Sequence, residues 1–252
     1  MSIQNESLVS EKEIKKRTIR SFIVFFLLIA VAVVAWKWVN RQPEDNGVSA
    51  PIRAVLNMNE SIFRNALFSE SNLSKPYTKA YAVSKVKVNG RYGLGDGFDA
   101  AVWKLKVLKN NGDTLSITLD DLKALPKTEV IFDFKCIEGW SQVTHWAGVR
   151  FSDFMKYYHL TAEAAMQYSA LITPDKEYYV GIDQRSMLQP QTILCYEMNG
   201  RPLPMDQGYP LRLIIPVKYG IKHLKRIGTI SFSNQRPPDY WYERGYDYYA
   251  GL

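Results

Sequence analysis

The sequence predicts an α+β domain, a mixed β-sheet with short helices, preceded by one transmembrane helix. The first observation behind this is the apolar run Ser21 to Val39, SFIVFFLLIAVAVVAWKWV, broken only by Ser21 and Lys37. At about 1.5 Å rise per residue such a run reaches roughly 30 Å, the thickness of a bilayer core. The second is a change to short alternating apolar and polar segments from Tyr81 onward, punctuated by Gly, Asn and Asp. The third is the stretch Val130 to Arg150, VIFDFKCIEGWSQVTHWAGVR, in which an apolar run delivers a cysteine among glycine, tryptophan and histidine. A plain surface loop would offer Ser, Asn, Asp, Pro and Lys there instead.

A chain of 252 residues with 46% hydrophobic and 13% aromatic residues can bury a sizeable core and is not disordered. The net charge of +7 is spread along the sequence and belongs to no recognisable nucleic-acid-binding module, so no nucleic-acid partner is expected. The two cysteines, Cys136 and Cys195, form no CxxC or Cys/His spacing, which leaves zinc, iron–sulfur and c-type haem sites unsupported.

Taken in order, residues 1-20 form a basic cytoplasmic tail, with Lys12, Lys15, Lys16, Arg17 and Arg20 crowding before the apolar run. The following twenty or so residues hold only Arg41 and Arg53, so the positive-inside rule keeps the amino terminus in the cytoplasm. Residues 21-39 are then a single-pass anchor in the lipid bilayer of the inner (cytoplasmic) membrane, and the rest lies on the periplasmic or extracytoplasmic side. Trp36 and Trp38 are interfacial aromatics and Lys37 snorkels to the headgroups. A cleaved signal peptide is the rival, since Phe22 to Ala35 also suits a signal h-region, but no convincing small-x-small cleavage site precedes Trp36. Residues 40-75 begin as a polar linker, and from Pro51 a short amphipathic helix leads into the domain, residues 76-252.

Within the domain, strands are expected from Tyr81 through KVKV, at Val102 to Leu108, Leu115 to Leu119 and Val130 to Phe134. Asp120 to Leu125 is a short helix stopped by Pro126, and Phe151, Phe154, Met155 and Tyr158 make one face of a helix from Arg150 to Leu160. Further strands follow at Ala170 to Thr173, Tyr178 to Ile182, Ile193 to Met198, Leu211 to Pro216 and Gly228 to Phe232. The tail PPDYWYERGYDYYAGL is too aromatic to be a loose end and packs back on the domain.

Two regions carry chemistry. Cys136, delivered by an apolar run among glycine, tryptophan and histidine, sits among the residue types of a built site, although a lone cysteine is also read as a small buried apolar side chain. After the strand ending in Pro216 come Lys218, Gly220, Lys222, His223, Lys225 and Arg226, clustered cations that suit a phosphate or other oxyanion, or else a solvated basic face. Cys195 sits in an apolar strand as a buried thiol; a Cys136–Cys195 disulfide is the competing use of the pair. His145 is expected to make a structural hydrogen bond.

Cys136-Ile137-Glu138-Gly139-Trp140-Ser141, Trp146-Ala147-Gly148-Val149, Gly208-Tyr209-Pro210-Leu211-Arg212-Leu213, Pro216-Val217-Lys218-Tyr219-Gly220-Ile221-Lys222, Tyr240-Trp241 and Gly245-Tyr246 occur in that order. Together they resemble the molybdopterin-dependent oxidoreductases of the sulfite oxidase fold, in particular the branch of the periplasmic methionine-sulfoxide reductase catalytic subunits. The resemblance implies a molybdenum-molybdopterin (Mo-MPT) cofactor with Cys136 as catalytic residue and metal ligand. It implies cofactor contacts at Asn89, Tyr92, Gly93, Thr173 and Gln207, with Arg212 and Lys225 at the phosphate end and His223 and Leu224 lining the same turn. It further implies oxygen-atom transfer, with reduction of a small or protein-borne S- or N-oxide favoured. The chain has no haem or flavin motif, so electrons come from a membrane partner such as a quinol-linked cytochrome. A non-catalytic relative that binds an anionic ligand or a protein in the envelope is the alternative.

Overall fold

The structure, a computed structural model, describes residues 10–69, 71, 73–88 and 90–251. It divides into two compact units, Met1–Ala54 and Val55–Leu252.

In the first unit α1 runs Glu11–Asn40, opened by Ser10, whose side chain accepts from the Glu13 N–H. It is long and apolar enough to span a bilayer, and none of its side chains is buried by protein. Strands β1 (Glu44–Asp45) and β2 (Val48–Ser49) then form a small antiparallel hairpin. Its turn is Asn46-Gly47, both left-handed (φ 48 and 81), as a tight two-residue hairpin turn demands. Helix α2, Ala50–Ser61, starts here and ends in the second unit.

The second unit is an α+β fold of two five-stranded sheets. Its elements are β3 (Leu105–Leu108), β4 (Thr114–Ile117), α3 (Leu119–Lys123), β5 (Lys127–Lys135), β6 (Ser141–Arg150), α4 (Phe151–Tyr157), α5 (Thr161–Ala164), β7 (Tyr168–Ile172) and β8 (Tyr179–Asp183). Then come α6 (Gln184–Met187), β9 (Ile193–Met198), β10 (Arg201–Pro202), β11 (Arg212–Ile214) and β12 (Thr229–Ser233). The first sheet has the order β10-β9-β6-β5, with β11 also on β9; the second has the order β4-β3-β12-β7-β8. Only β12 with β3 is parallel, so the second sheet is mixed as expected.

Alternation decides which side chains meet. Val149, Leu194, Tyr196 and Leu213 of the first sheet join Leu105, Val107, Leu171, Val180 and Ile230 of the second in one core. The other face of the first sheet carries a second cluster with Val130, Phe132, Phe134, Trp146, Ile193, Cys195 and Ile214. Being covered on both faces, this sheet is stiff, and each fully buried Phe or Leu contributes about 1.5–3 kcal/mol relative to exposure. It is the sheet that holds Cys136.

The pattern misread two places. The KVKV run forms no ladder: residues 82–88 lie alongside β6 through isolated bonds, Val83 N–H to Val143 O and Lys87 N–H to the Gln142 side chain. Conversely, Ser141 to Arg150 is a ten-residue strand paired along its length with β5, hidden by its Gly, Gln and His content. The aromatic tail does pack back, through Tyr219 N–H to Ala250 O and a bridge between Lys218 and Gly251.

Candidate active site

The β5–β6 hairpin places the cysteine. Pairing runs from Lys127↔Val149 to Lys135↔Ser141, and Cys136 is the next residue. Its N–H donates to Trp140 O (2.9 Å), its carbonyl accepts from Gly139 N–H (3.0 Å), and Gly139 takes φ 87, where a side chain would be strained. Trp140 stacks on Phe134 at 6.0 Å and donates from Nε1 to Glu138 at 2.8 Å. The thiol is thus held on a short turn fastened to a buried strand. Neither Cys136 nor Cys195 is in a disulfide. Burial pushes the Cys195 thiol up to about 12, so Cys195 is an inert core residue.

Cys136 opens into a cleft of about 110 Å³, lined also by Tyr92, Glu138, Tyr178, Gly220, His223, Lys225, Trp241 and Tyr246. Tyr178 donates its hydroxyl to Ile221 O and so fastens the wall formed by residues 220–222; burial, then Asp239, raises its pKa. Tyr92 lies 4.9 Å from Tyr240 and 6.0 Å from Trp241, ring centre to ring centre, which carries the aromatic wall into the tail. His223 uses both ring nitrogens inside the protein. Nδ1 accepts from Ile215 N–H (3.4 Å), so Nε2 carries the proton it donates to Lys218 O (3.1 Å). Burial, then Arg212, pushes its pKa down to about 3, and the ring is a neutral structural wall.

The cations of the basic turn divide into two groups. Lys218 pairs with Asp183 at 2.8 Å and Lys222 pairs with Asp239, all four side chains buried. Burial alone would raise Asp183, but Lys218 outweighs it and holds the carboxyl below its ordinary range. This narrows the anion-binding expectation, because these two lysines are already neutralised.

Arg212 and Lys225 are held differently. Arg212 Nη1 donates to Gln207 O (3.1 Å) and Oε1 (2.8 Å), and its guanidinium lies 4.5 Å from the Trp146 ring centre. It is 1% exposed, its Nε has no hydrogen-bond partner, and among the described residues no carboxylate reaches it. Burial pushes its pKa down to about 10. Lys225 Nζ donates to Gly90 O (3.1 Å) and Asp206 O (3.0 Å), and burial, then Arg212, pushes it down to about 7.

Of the residues expected at the site, Cys136, Tyr92, His223 and Lys225 therefore share one cleft, with Gln207 and Arg212 joined to each other but not lining it. Gly93 packs on Thr173: a Cβ at this left-handed position (φ 73) would lie 2.3 Å from Thr173 Cγ2. Thr173 bonds Asp175 and lines a neighbouring cavity of about 850 Å³ with Arg226. Leu224 is core. Asn89 lies outside the described residues. Tyr178 and Glu138 belong to the cleft, yet sequence reasoning gave them no role there, since each reads as an ordinary strand or turn residue.

His145 sits on β6 opposite Ile131, its Nε2 3.4 Å from Glu129 Oε1 but without a well-formed hydrogen bond. The structural bond expected of the ring is not formed; the residue is held through its backbone carbonyl, which accepts from Asn199 N–H, while the ring approaches Glu129.

These features meet a description of known proteins. The family model for the oxidoreductase molybdopterin binding domain matches residues 94–241. The chain belongs to this family. A protein of Azospira oryzae, named as a protein-methionine-sulfoxide reductase subunit, is 31% identical over 210 residues, covering 82% of this chain and 79% of that one. The catalytic subunit of the protein-methionine-sulfoxide reductase of Campylobacter jejuni is 27% identical over 225 residues, 82% of this chain and 75% of its own. That of Xanthomonas campestris is 33% identical over 156 residues, 56% and 48% respectively. The chain is accordingly an enzyme, a membrane-anchored molybdopterin oxidoreductase of the sulfite oxidase-like fold related to the methionine-sulfoxide reductase catalytic subunits. Its domain faces the periplasmic side of the inner membrane.

The family implies molybdopterin, and the residues present fit such a group. A soft thiol lines the cleft, and a buried guanidinium with an orphaned Nε, that of Arg212, bears electrostatically on two other lining residues, His223 and Lys225. Among the described residues no group of three or more His, Cys, Asp or Glu gathers, so Cys136 is the soft donor this cleft offers a metal.

Proposed function

We propose that this chain is a Mo-MPT enzyme that reduces S- or N-oxides, small or carried on a protein, with Cys136 as the protein's ligand to molybdenum. The observation that carries this reading is the pairing of one cysteine, fixed on a hairpin end at the cleft, with a buried arginine that no carboxylate among the described residues reaches and whose charge bears on two other residues lining the cleft, His223 and Lys225. In this reading Arg212 and Lys225 bind the anionic end of the cofactor, and Gln207 orients Arg212 by accepting two of its hydrogen bonds. Tyr92, Gly93 and Thr173 flank the pterin, the close Gly93–Thr173 contact keeping that wall flat. His223 and Leu224 shape the turn from within, without a proton to give.

When bound, the cofactor supplies two-electron redox and oxygen-atom chemistry that no side chain performs. The overall change is R₂SO with two electrons and two protons giving R₂S and water. The chain's own residues bind, orient and exclude solvent: Tyr178, Trp241 and Tyr246 give the cleft a largely apolar wall. Electrons come from a membrane-linked redox partner, a quinol-linked cytochrome fitting the position of the anchor.

The test is metal and pterin content, together with reduction of a soluble sulfoxide by a reduced dye, in wild type and Cys136→Ser made in a molybdopterin-competent host. The reading expects about one molybdenum per wild-type chain, with metal and turnover lost in the variant. Wild-type protein without molybdenum, or a variant as active as the parent, overturns it.

A further inference from the structure

Helix α2 is built the wrong way round for a helix that covers a core. The side chains it buries are charged: Arg53 at 1% exposure and Glu60 at 5%. In the second unit Glu60 pairs with Arg236, and Arg64, one turn further on, donates to the Tyr168 hydroxyl and approaches Glu60 at 3.9 Å. The apolar side chains point outward. Val55 and Met58, together with Ile62 of the π-helical turn Ile62–Leu67 that continues the helix, are three and four residues apart and share one side, flanked by Phe63, and all four are between 43% and 56% exposed.

Large apolar side chains in such a row mark a surface that meets something apolar. Continuity with the span says what that is. Residues 41–49 separate α1 from α2 and, even fully extended, would reach at most about 32 Å. They are not extended. They fold back as the β1–β2 hairpin, with Ala50 N–H on Pro43 O (2.9 Å) and Arg53 Nη2 on Asn46 O (2.6 Å). The first turn of α2 is therefore fastened to the segment that leaves the bilayer. The exposed polar residues of the helix, Asn57, Asn59 and Ser61, are uncharged.

We propose that α2 is an interfacial helix that seats Val55 and Met58, with Ile62 of the turn that continues it, in the outer leaflet, so that the enzyme rests on the membrane by this face as well as by its span. Binding of this kind scales with buried apolar area, and without exposed Lys or Arg on the helix it needs no anionic lipid. The occupant is lipid, and a protein partner is the alternative that the test separates.

The full chain is reconstituted in nanodiscs of phosphatidylcholine alone, with a spin label at Val55→Cys or, in a second variant, Met58→Cys, and at Asn57→Cys as the polar-side control. The unsubstituted chain, whose two cysteines are buried, is the labelling blank. All three positions are exposed in the protein, so water alone would treat them alike. The expected result is a ratio of oxygen to water-soluble nickel accessibility severalfold higher at 55 and 58 than at 57. Equal ratios with free access of nickel at all three positions overturn the proposal, and protection that appears only when a membrane protein is added does so too.

Discussion

Lys218, Lys222 and Lys225 lie within one turn of chain, and all three are buried, yet they answer different questions. The first two each face an aspartate brought by another element, Asp183 at the end of β8 and Asp239 in the tail. Lys225 faces backbone carbonyls, and its neighbour Arg212 has a side-chain amide, an aromatic face and an orphaned Nε. Similar residue types therefore serve opposite ends. Two are ties that hold the tail and the turn together; Lys225 is held by the carbonyls of Gly90 and Asp206, and Arg212 carries a buried charge that no carboxylate among the described residues reaches. A buried charge is retained at such cost where a ligand neutralises it.

The largest effect that would test this contrast is on the tied side. Lys222→Met leaves Asp239 buried without its cation and is expected to cost about 3–5 kcal/mol of unfolding free energy, read as a lower denaturant midpoint. Asp239 keeps the N–H groups of Gly181 and Tyr242, which sets the loss at the lower end.

Arg212→Met should behave in the other sense. Its lost hydrogen bonds are worth about 1 kcal/mol each, and relief of an unpaired buried charge offsets them, so the midpoint should barely move. Pterin and molybdenum content should fall sharply all the same. A variant as unstable as Lys222→Met would place Arg212 among the structural cations and dissolve the comparison.

Sequence reasoning reached part of this. The β-rich mixed architecture, the long apolar helix and the position of Cys136 at a strand-to-loop junction were legible because hydrophobic alternation, run length and a cysteine among aromatics are local signals. The division among the cations was not. Nothing in KYGIKHLKR tells which lysine meets an aspartate, since Asp183 lies on β8 and Asp239 in the tail, and only the fold brings them there. Strand β6 was missed for a related reason: its partners β5 and β9 bury a sequence whose own propensity is weak. The inverted face of α2 was invisible as well, because amphipathicity says that a helix has two faces and not which one is turned inward.

A smaller effect sharpens the untied side through pH. Burial, then Arg212, lowers Lys225 to about 7 from the ordinary 10.5, so above about pH 7 the unfolded chain still holds a proton that the folded chain has lost. Stability of the cofactor-free protein should therefore rise with pH between those two values. Lys225→Met should flatten that rise in a denaturant series across the window. An added phosphate anion, by favouring the charged lysine, should have its greatest stabilising effect near and below pH 7.

The smallest expected effect is at a pair that is neither buried nor uncompensated. Lys79 and Glu129 meet at 2.8 Å with side chains 63% and 41% exposed. The hydrogen bond from Lys79 lowers the Glu129 carboxyl, and any stability from it is present above the ordinary carboxylate range and lost as pH falls through the lowered value. Water and salt screen such a pair, so Lys79→Ala should cost less than about 1 kcal/mol, and less still at high ionic strength. The same salt series on Lys222→Met should leave its much larger loss nearly unchanged, because Lys222 and Asp239 are 1% and 2% exposed and counterions do not reach them. If salt moved both variants equally, burial would not be what separates the tied lysines from the rest of the basic surface.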